Sequence, residues 1–480
     1  MAAFLFRRWC WVGALVWASA APAAELWIGA AVADITPAQP VALDGQRRLR
    51  VSTKPETRIS ASVLALESRD GAKVVDQAIM VSCDLVAIRS GVLGRVRNKV
   101  KPRLPDFDVS KLFLSATHTH TAPVTAEGNY ALPEHVMRPA AYVELLTDRV
   151  ADAVVQSWRR RGPGKAGWGQ SQAVVAHNRR AVYADGRAVM YGATAAPDFQ
   201  GLESREDHDL DVLFFWDRQD RLIATAILVP CPAQEVEGGS SIHADFWHPV
   251  RERLRARHGA ELVVLGFSGA GGDVVSRPMY GKASDERMRR LRGLTRLEEV
   301  ARRIVAGWED AYEAARWDKR AEVVLRHLVE TIELPERRVS EEEAAAGAQA
   351  ARHAGNPAEV WDYRWHQRVV ERFERQQAGG LGAYPMELHV LRLGDVALAT
   401  NDFELYTEFG VRIKARSPAL QTFVIQLTGG NGGYLPTERA VRGGGYGAVV
   451  QSTTVGPEGG QVLVDRTVKA IESLWAESAR

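Results

Sequence analysis

The sequence predicts an α/β protein of layered mixed sheets flanked by helices, and two observations carry that expectation. Short apolar runs rich in Val, Ile, Leu and Phe recur at 78–83, 112–117, 212–216, 225–229, 262–267, 396–400 and 422–427. Their unbroken apolarity marks strands covered on both faces. Between them lie longer stretches of helical period, at 140–159 and 246–257, and stacked layers are how such alternation buries both kinds of element. The stretch 285–380 differs in being strongly charged and reads as a helical insertion. Within it Thr295 to Glu298 and Ser340 to Glu343 are each spaced as a helix-start capping box. Leu297, Val300, Ala301, Ile304 and Trp308 fall on one face of the first of these helices, the pattern of a helix packed on a core. A last amphipathic helix is read at 460–475.

The opening residues place Arg7 and Arg8 before an apolar stretch and the small-residue site Ala21-Pro22-Ala23. That is the layout of a secretory signal peptide over 1–24, so a secreted or periplasmic location is expected. No later window has the length of a membrane span, and no stable anchor is expected. The formal charge of +2 falls to about zero without Arg7 and Arg8. With no basic tract in the remainder, nucleic acid is not an expected partner. Of three cysteines Cys10 belongs to the leader, leaving Cys83 and Cys231, so the fold does not rest on a disulfide framework. A chain this long, 46% hydrophobic, buries a large core without one. The oligomeric state is not legible.

Four loops that follow apolar runs carry unusual chemistry, and ligand groups in α/β proteins gather at strand carboxyl ends. The first is Thr117-His118-Thr119-His120, whose imidazoles, at i and i+2, are expected on one side of an extended chain. Imidazole is the commonest neutral metal ligand. In the second, Cys231 stands between Pro230 and Pro232, and two prolines stiffen the backbone around the thiol. The third brings Asp402 and Glu404. The fourth, Gly429 to Thr437, leaves Tyr434 as the one large group among glycines that permit close backbone approach. Singly, each has a structural explanation: Cys231 as a small buried hydrophobe or a partner for Cys83, Glu404 as a first-turn helix acid, Tyr434 as a packed ring.

These residues, with Ala33-Asp34-Ile35-Thr36-Pro37, Asn178-Arg179, Gly272-Asp273, Phe403-Glu404 and Tyr434-Leu435-Pro436-Thr437 followed by Tyr446, resemble in order the catalytic domain of the neutral ceramidase family. The resemblance implies one catalytic domain over 25–480 and a zinc-dependent hydrolase that cleaves an N-acyl amide bond, with a small-molecule or lipid N-acyl substrate. It implies a zinc ion held by His118, Glu404 and Tyr434, with Cys231 where the family has a second histidine ligand. It also implies His120 as proton carrier, with Arg179 and Tyr446 as donors to the substrate oxygen. The family's serine corresponds to Ser276, displaced by one residue, with Ser268 as an outside candidate. The C-terminal immunoglobulin-like domain of the family is not expected here. Hydrolysis of a different amide or ester, or ligand binding without chemistry, are the alternatives that the altered cysteine and serine positions leave open.

Overall fold

The computed structural model describes residues 24–89, 91–354 and 360–476. The leader expectation falls on residues 1–23, outside the described residues, and Ala24 already pairs with Val323 at the start of the first strand. A large mixed sheet takes the order Val263–Ser268, Leu222–Val229, Asp209–Asp217, Gly162–Gln172, Ala24–Asp34, Ser60–Asp70, Lys73–Cys83, Leu112–Ala116. A second sheet takes the order Leu325–Pro335, Ala383–Leu393, Val396–Thr400, Gln421–Ile425.

Period-two alternation sends each strand's side chains into two different layers. In the large sheet Val63, Ile79, Val81, Leu112 and Leu114 pack under the helices Val92–Val100 and Pro139–Arg159. Val212, Phe214 and Trp216 pack under Trp247–His258 and Arg296–Ala315. The intervening residues Leu64, Met80, Phe113, Leu213 and Phe215 face the second sheet and meet its Leu391, Leu398, Phe423 and Ile425. The far face of that sheet, with Leu388, Val390 and Val424, packs on Thr407–Arg416 and Pro457–Ala476. Helices therefore sandwich two sheets, as the apolar runs predict.

All seven expected strands form, and so do the helices expected at 140–159, 246–257 and 460–475. Both capping boxes close reciprocally. The insertion is a correction, because 285–380 is not wholly helical. Leu325–Pro335 is an edge strand of the second sheet, its Leu325, Ile332 and Leu334 buried among more exposed polar neighbours. Its alternation and β-branched residues favour a strand despite the surrounding charge. Gly162–Gln172 is a strand that composition concealed. A Cβ at Gly164 would lie 2.5 Å from the Trp216 carbonyl oxygen, and one at Gly169 would lie 3.0 Å from that of Ala311. Glycine is there because neighbouring backbone comes too close for a side chain.

The Arg296–Ala315 helix is fastened through Glu299, whose side chain is 2% exposed and accepts from Arg292, Arg302 and Arg303. The hydrogen bond from Arg302 leads in holding the Glu299 carboxyl down to about 2, against the opposing effect of burial. A depressed carboxylate stabilises the fold fully above its ordinary pKa of 4.5 and loses that contribution as pH falls toward 2. Thermal melts from pH 5 to pH 3 are expected to fall less steeply for Glu299→Gln than for the native protein.

Candidate functional site

Within the two large sheets strands run parallel in three pairs: Lys73–Cys83 with Leu112–Ala116, Leu222–Val229 with Val263–Ser268, and Val396–Thr400 with Gln421–Ile425. The loops leaving their carboxyl ends supply the polar centre. His118 and His120 follow the first pair, Gln234 the second, and Glu404 and Tyr434 the third. Glu404 and Tyr434 are brought level by a short parallel ladder in which they are register partners.

His118 is buried and takes φ 65°, a left-handed conformation that is uncommon outside glycine. The histidines therefore converge through a turn, since the strand ends at Ala116 and does not carry both rings on one pleat. His118 Nε2 lies 3.2 Å from His120 Nε2, with the rings edge to face. His118 Nδ1 lies 2.7 Å from the Val86 carbonyl oxygen. A carbonyl only accepts, so Nδ1 carries the proton and Nε2 of the neutral ring is a bare lone pair. That lone pair stands 3.3 Å from Glu404 Oε2. Two acceptors at this distance in a buried site need a proton or a metal ion between them: a second proton on His118, a proton on Glu404, or a metal ion.

Burial pushes the Glu404 carboxyl up, but His118, the Tyr434 hydroxyl and Arg179 outweigh it and hold the group below its ordinary range. Burial, then the Glu404 charge, lifts Tyr434 well above the usual phenol range, so it stands as a neutral donor. Arg179 donates to the Tyr434 hydroxyl at 3.1 Å and to the Gly272 carbonyl at 2.9 Å. Burial, then the positive charge His118 carries when doubly protonated, and the charges of Arg50, Arg179 and Arg89 keep His120 well below the ordinary imidazole range. Tyr446 packs edge to face on Tyr434, with centroids 5.6 Å apart.

Sequence reasoning missed three supports. The Gln234 amide donates to His120 Nε2 at 2.7 Å, and Glu237 Oε2 lies 3.7 Å from His120 Nδ1. Buried Arg50 ties the centre together by donating to the carbonyls of Asp44, His120, Glu237 and Gly239 at 2.6 to 2.7 Å. Gln234 and Glu237 lie just beyond the Pro-Cys-Pro segment, where no periodicity marks which side chains of the loop turn inward.

Cys231 is turned away from these groups. Ile227, Val229, Cys231 and Ala233 form one row in the apolar layer beneath the helices, so the thiol continues the core-facing alternation of its strand. Its contacts are the Val175 and Pro232 carbonyls, at 3.8 and 3.6 Å. Burial, followed by Glu235 and Asp245, raises it well above the ordinary thiol range, which opposes the thiolate a metal needs. Cys83 is also free and buried, in a separate apolar cluster, and the two form no disulfide. Ser276 donates to Glu235, which also faces Arg296 at 3.4 Å. Ser268 accepts from Gln426 inside the sheet layer. Neither serine is in contact with the histidine pair.

Among the described residues no group of three or more His, Cys, Asp and Glu side chains is gathered so as to hold a metal ion by itself. A metal here would need a further donor, such as the Tyr434 hydroxyl, beside His118 and Glu404. The 3.3 Å separation of His118 Nε2 and Glu404 Oε2 matches the roughly 3.4 Å ligand spacing of tetrahedral zinc. That pair has the spacing of two vertices of such a site, and Cys231 is not beside it. Cys231→Ala is expected to leave bound zinc per chain unchanged, read by elemental analysis after dialysis.

No family model matches the chain, and no curated protein matches it. Among solved structures it is similar to neutral ceramidase from Pseudomonas aeruginosa, with a TM-score of 0.67 and 17% identity, over 94% of this chain and 75% of that one. A ceramidase complexed with C2 is similar with a TM-score of 0.66 and 16% identity, over 94% and 76% of the respective chains. The chain has a neutral ceramidase-like fold.

Proposed function

We propose that this protein is a hydrolase of an N-acyl amide bond. One observation carries the reading: His118 Nε2 and Glu404 Oε2, both acceptors, face each other where three parallel strand pairs end, beside the Arg179 and Tyr434 donors. His118, Glu404 and Tyr434 would hold a zinc ion, which when bound supplies Lewis-acid polarisation of an acyl carbonyl.

The chain's own groups have distinct tasks around that carbonyl. Neutral His120 can take a proton at Nε2 once that nitrogen is released from the Gln234 amide, and return it to the departing amine. Arg179, fixed by the Gly272 carbonyl, keeps a permanent positive charge where negative charge develops on the acyl oxygen, and a well-placed donor of this kind is worth roughly 3 kcal/mol. Tyr446 flanks Tyr434 and shapes the approach. Cys231 and Ser276 have no part in the chemistry.

The test is a hydrolysis panel with zinc-loaded protein: an N-acyl sphingosine, short N-acyl amines and matched esters. Release of free amine from at least one amide, faster than hydrolysis of its ester, is expected. Failure to turn over any amide while zinc is bound would overturn the reading and favour a binding protein on this scaffold.

A further inference from the structure

The Val360–Gly379 helix lies beside the site and turns one stripe of side chains toward it. Trp361, Trp365, Arg368 and Arg372 fall on that stripe by helical spacing. At its lower end Arg372 donates through its terminal nitrogens to the carbonyls of Val450, Thr453 and Arg337 at 2.7 to 3.0 Å. One turn earlier Arg368 has no ion pair or hydrogen bond among the described residues, and neither does Arg364, a further turn back. Arg364 lies over Gly128, where a Cβ would come within 2.1 Å of its guanidinium. Gly128 belongs to the segment that follows the histidine pair. The Arg364 and Arg368 side chains are exposed, and desolvation of the Arg368 guanidinium together with Arg89 and Arg364 holds it below its ordinary range against the Glu371 carboxylate.

The tryptophans hold a third arginine. The Arg47 guanidinium lies 4.9 Å from the Trp361 ring, 4.5 Å from Trp365 and 5.1 Å from Tyr446. Tyr446 in turn packs on Tyr434 of the polar centre. Aromatic faces strip water from one side of a guanidinium while leaving its N–H edge free. The Arg47 side chain remains 47% exposed and meets one carboxylate, Asp362, at 3.1 Å. Like charges gathered on one rim repel, and a counter-ion relieves them.

We propose that Arg47, Arg364 and Arg368 form an anion subsite at the mouth of the polar centre, so that the substrate is an N-acylated amine bearing a carboxylate or phosphate. Guanidinium groups match both anions through paired N–H donors. The proposal rests on the hydrolase reading for the word substrate, but binding of the anion does not depend on it.

Two measurements separate them. Calorimetric titration with malonate and with inorganic phosphate distinguishes the two anion classes, comparing the native protein with Arg364→Ala/Arg368→Ala and with the charge-keeping Arg364→Lys/Arg368→Lys. Saturable binding of at least one anion is expected, weakened about tenfold or more in the alanine variant, which is about 1.4 kcal/mol, and largely kept in the lysine variant. The second compares hydrolysis of N-octanoylglycine with that of its methyl ester, for which a lower KM for the free acid, lost in the alanine variant at little changed kcat, is expected. Circular dichroism confirms that the variants fold. Equal anion binding by the native and alanine proteins, or none by either, overturns the subsite even if both glycine amides are cleaved. Charge-selective binding without cleavage of either amide leaves the subsite standing and removes the hydrolase reading.

Discussion

His118→Ala is expected to lower kcat/KM for an N-acyl amide by about a thousandfold or more, a loss of roughly 4 kcal/mol in transition-state stabilisation. The size follows from what the imidazole does twice over. Its Nδ1 is locked on the Val86 carbonyl, and its Nε2 is the lone pair that faces Glu404. Removing it takes away a donor to the cation and leaves a buried carboxylate without its nearest compensation. Bound zinc is expected to be lost together with turnover, and elemental analysis alongside initial rates checks both. Retention of zinc and of hydrolysis in this variant would show that the centre lies elsewhere.

Gly45→Ala is the second large effect, although Gly45 carries no chemistry. Its φ is +93°, a backbone region that alanine avoids, and a Cβ there would lie 2.5 Å from Cγ of the His120 ring. The ring cannot retreat freely, because Gln234 holds its Nε2 and Arg50 holds its backbone carbonyl. Displacing a positioned group by about 1 Å costs on the order of a hundredfold in rate. The expected result is a fall of that order in kcat, with a loss of about 1–3 kcal/mol in stability from backbone strain. Initial rates and denaturant unfolding of the purified variant measure the two losses separately. A Gly45→Ala protein with native rates would mean that the His120 position is not critical to turnover.

The sandwich was legible because unbroken apolar runs are a strong signal wherever a strand is buried on both sides. Gly162–Gln172 was not, because its identity as a strand depends on the nearness of Trp216 and Ala311, which only the assembled fold supplies. At the site, the residues that follow strand ends were found by position, and His118, Glu404 and Tyr434 do meet. Cys231 misled because its place in the chain resembles a ligand position while its parity belongs to the core. The row Ile227, Val229, Cys231 was available in the sequence, and counting in twos assigns the thiol to the apolar side. Gln234, Glu237 and Arg50 were beyond reach for a different reason, since their partners are backbone groups and loops distant along the chain. Pattern reading carries no information about such pairings.

His118 is delivered by one sheet and Glu404 by the other, and the apolar layer joining them contains Phe113, Leu398, Phe423 and Ile425. The 3.3 Å approach of the two side chains is therefore a measure of how closely two independently built slabs are pressed together. Trimming the filling between the slabs, as in Phe423→Leu, is a way to change the grip on a cation without touching any polar atom. In this architecture the spacing of the two acceptors and the compactness of the interior are one property, seen from opposite ends of the same strands.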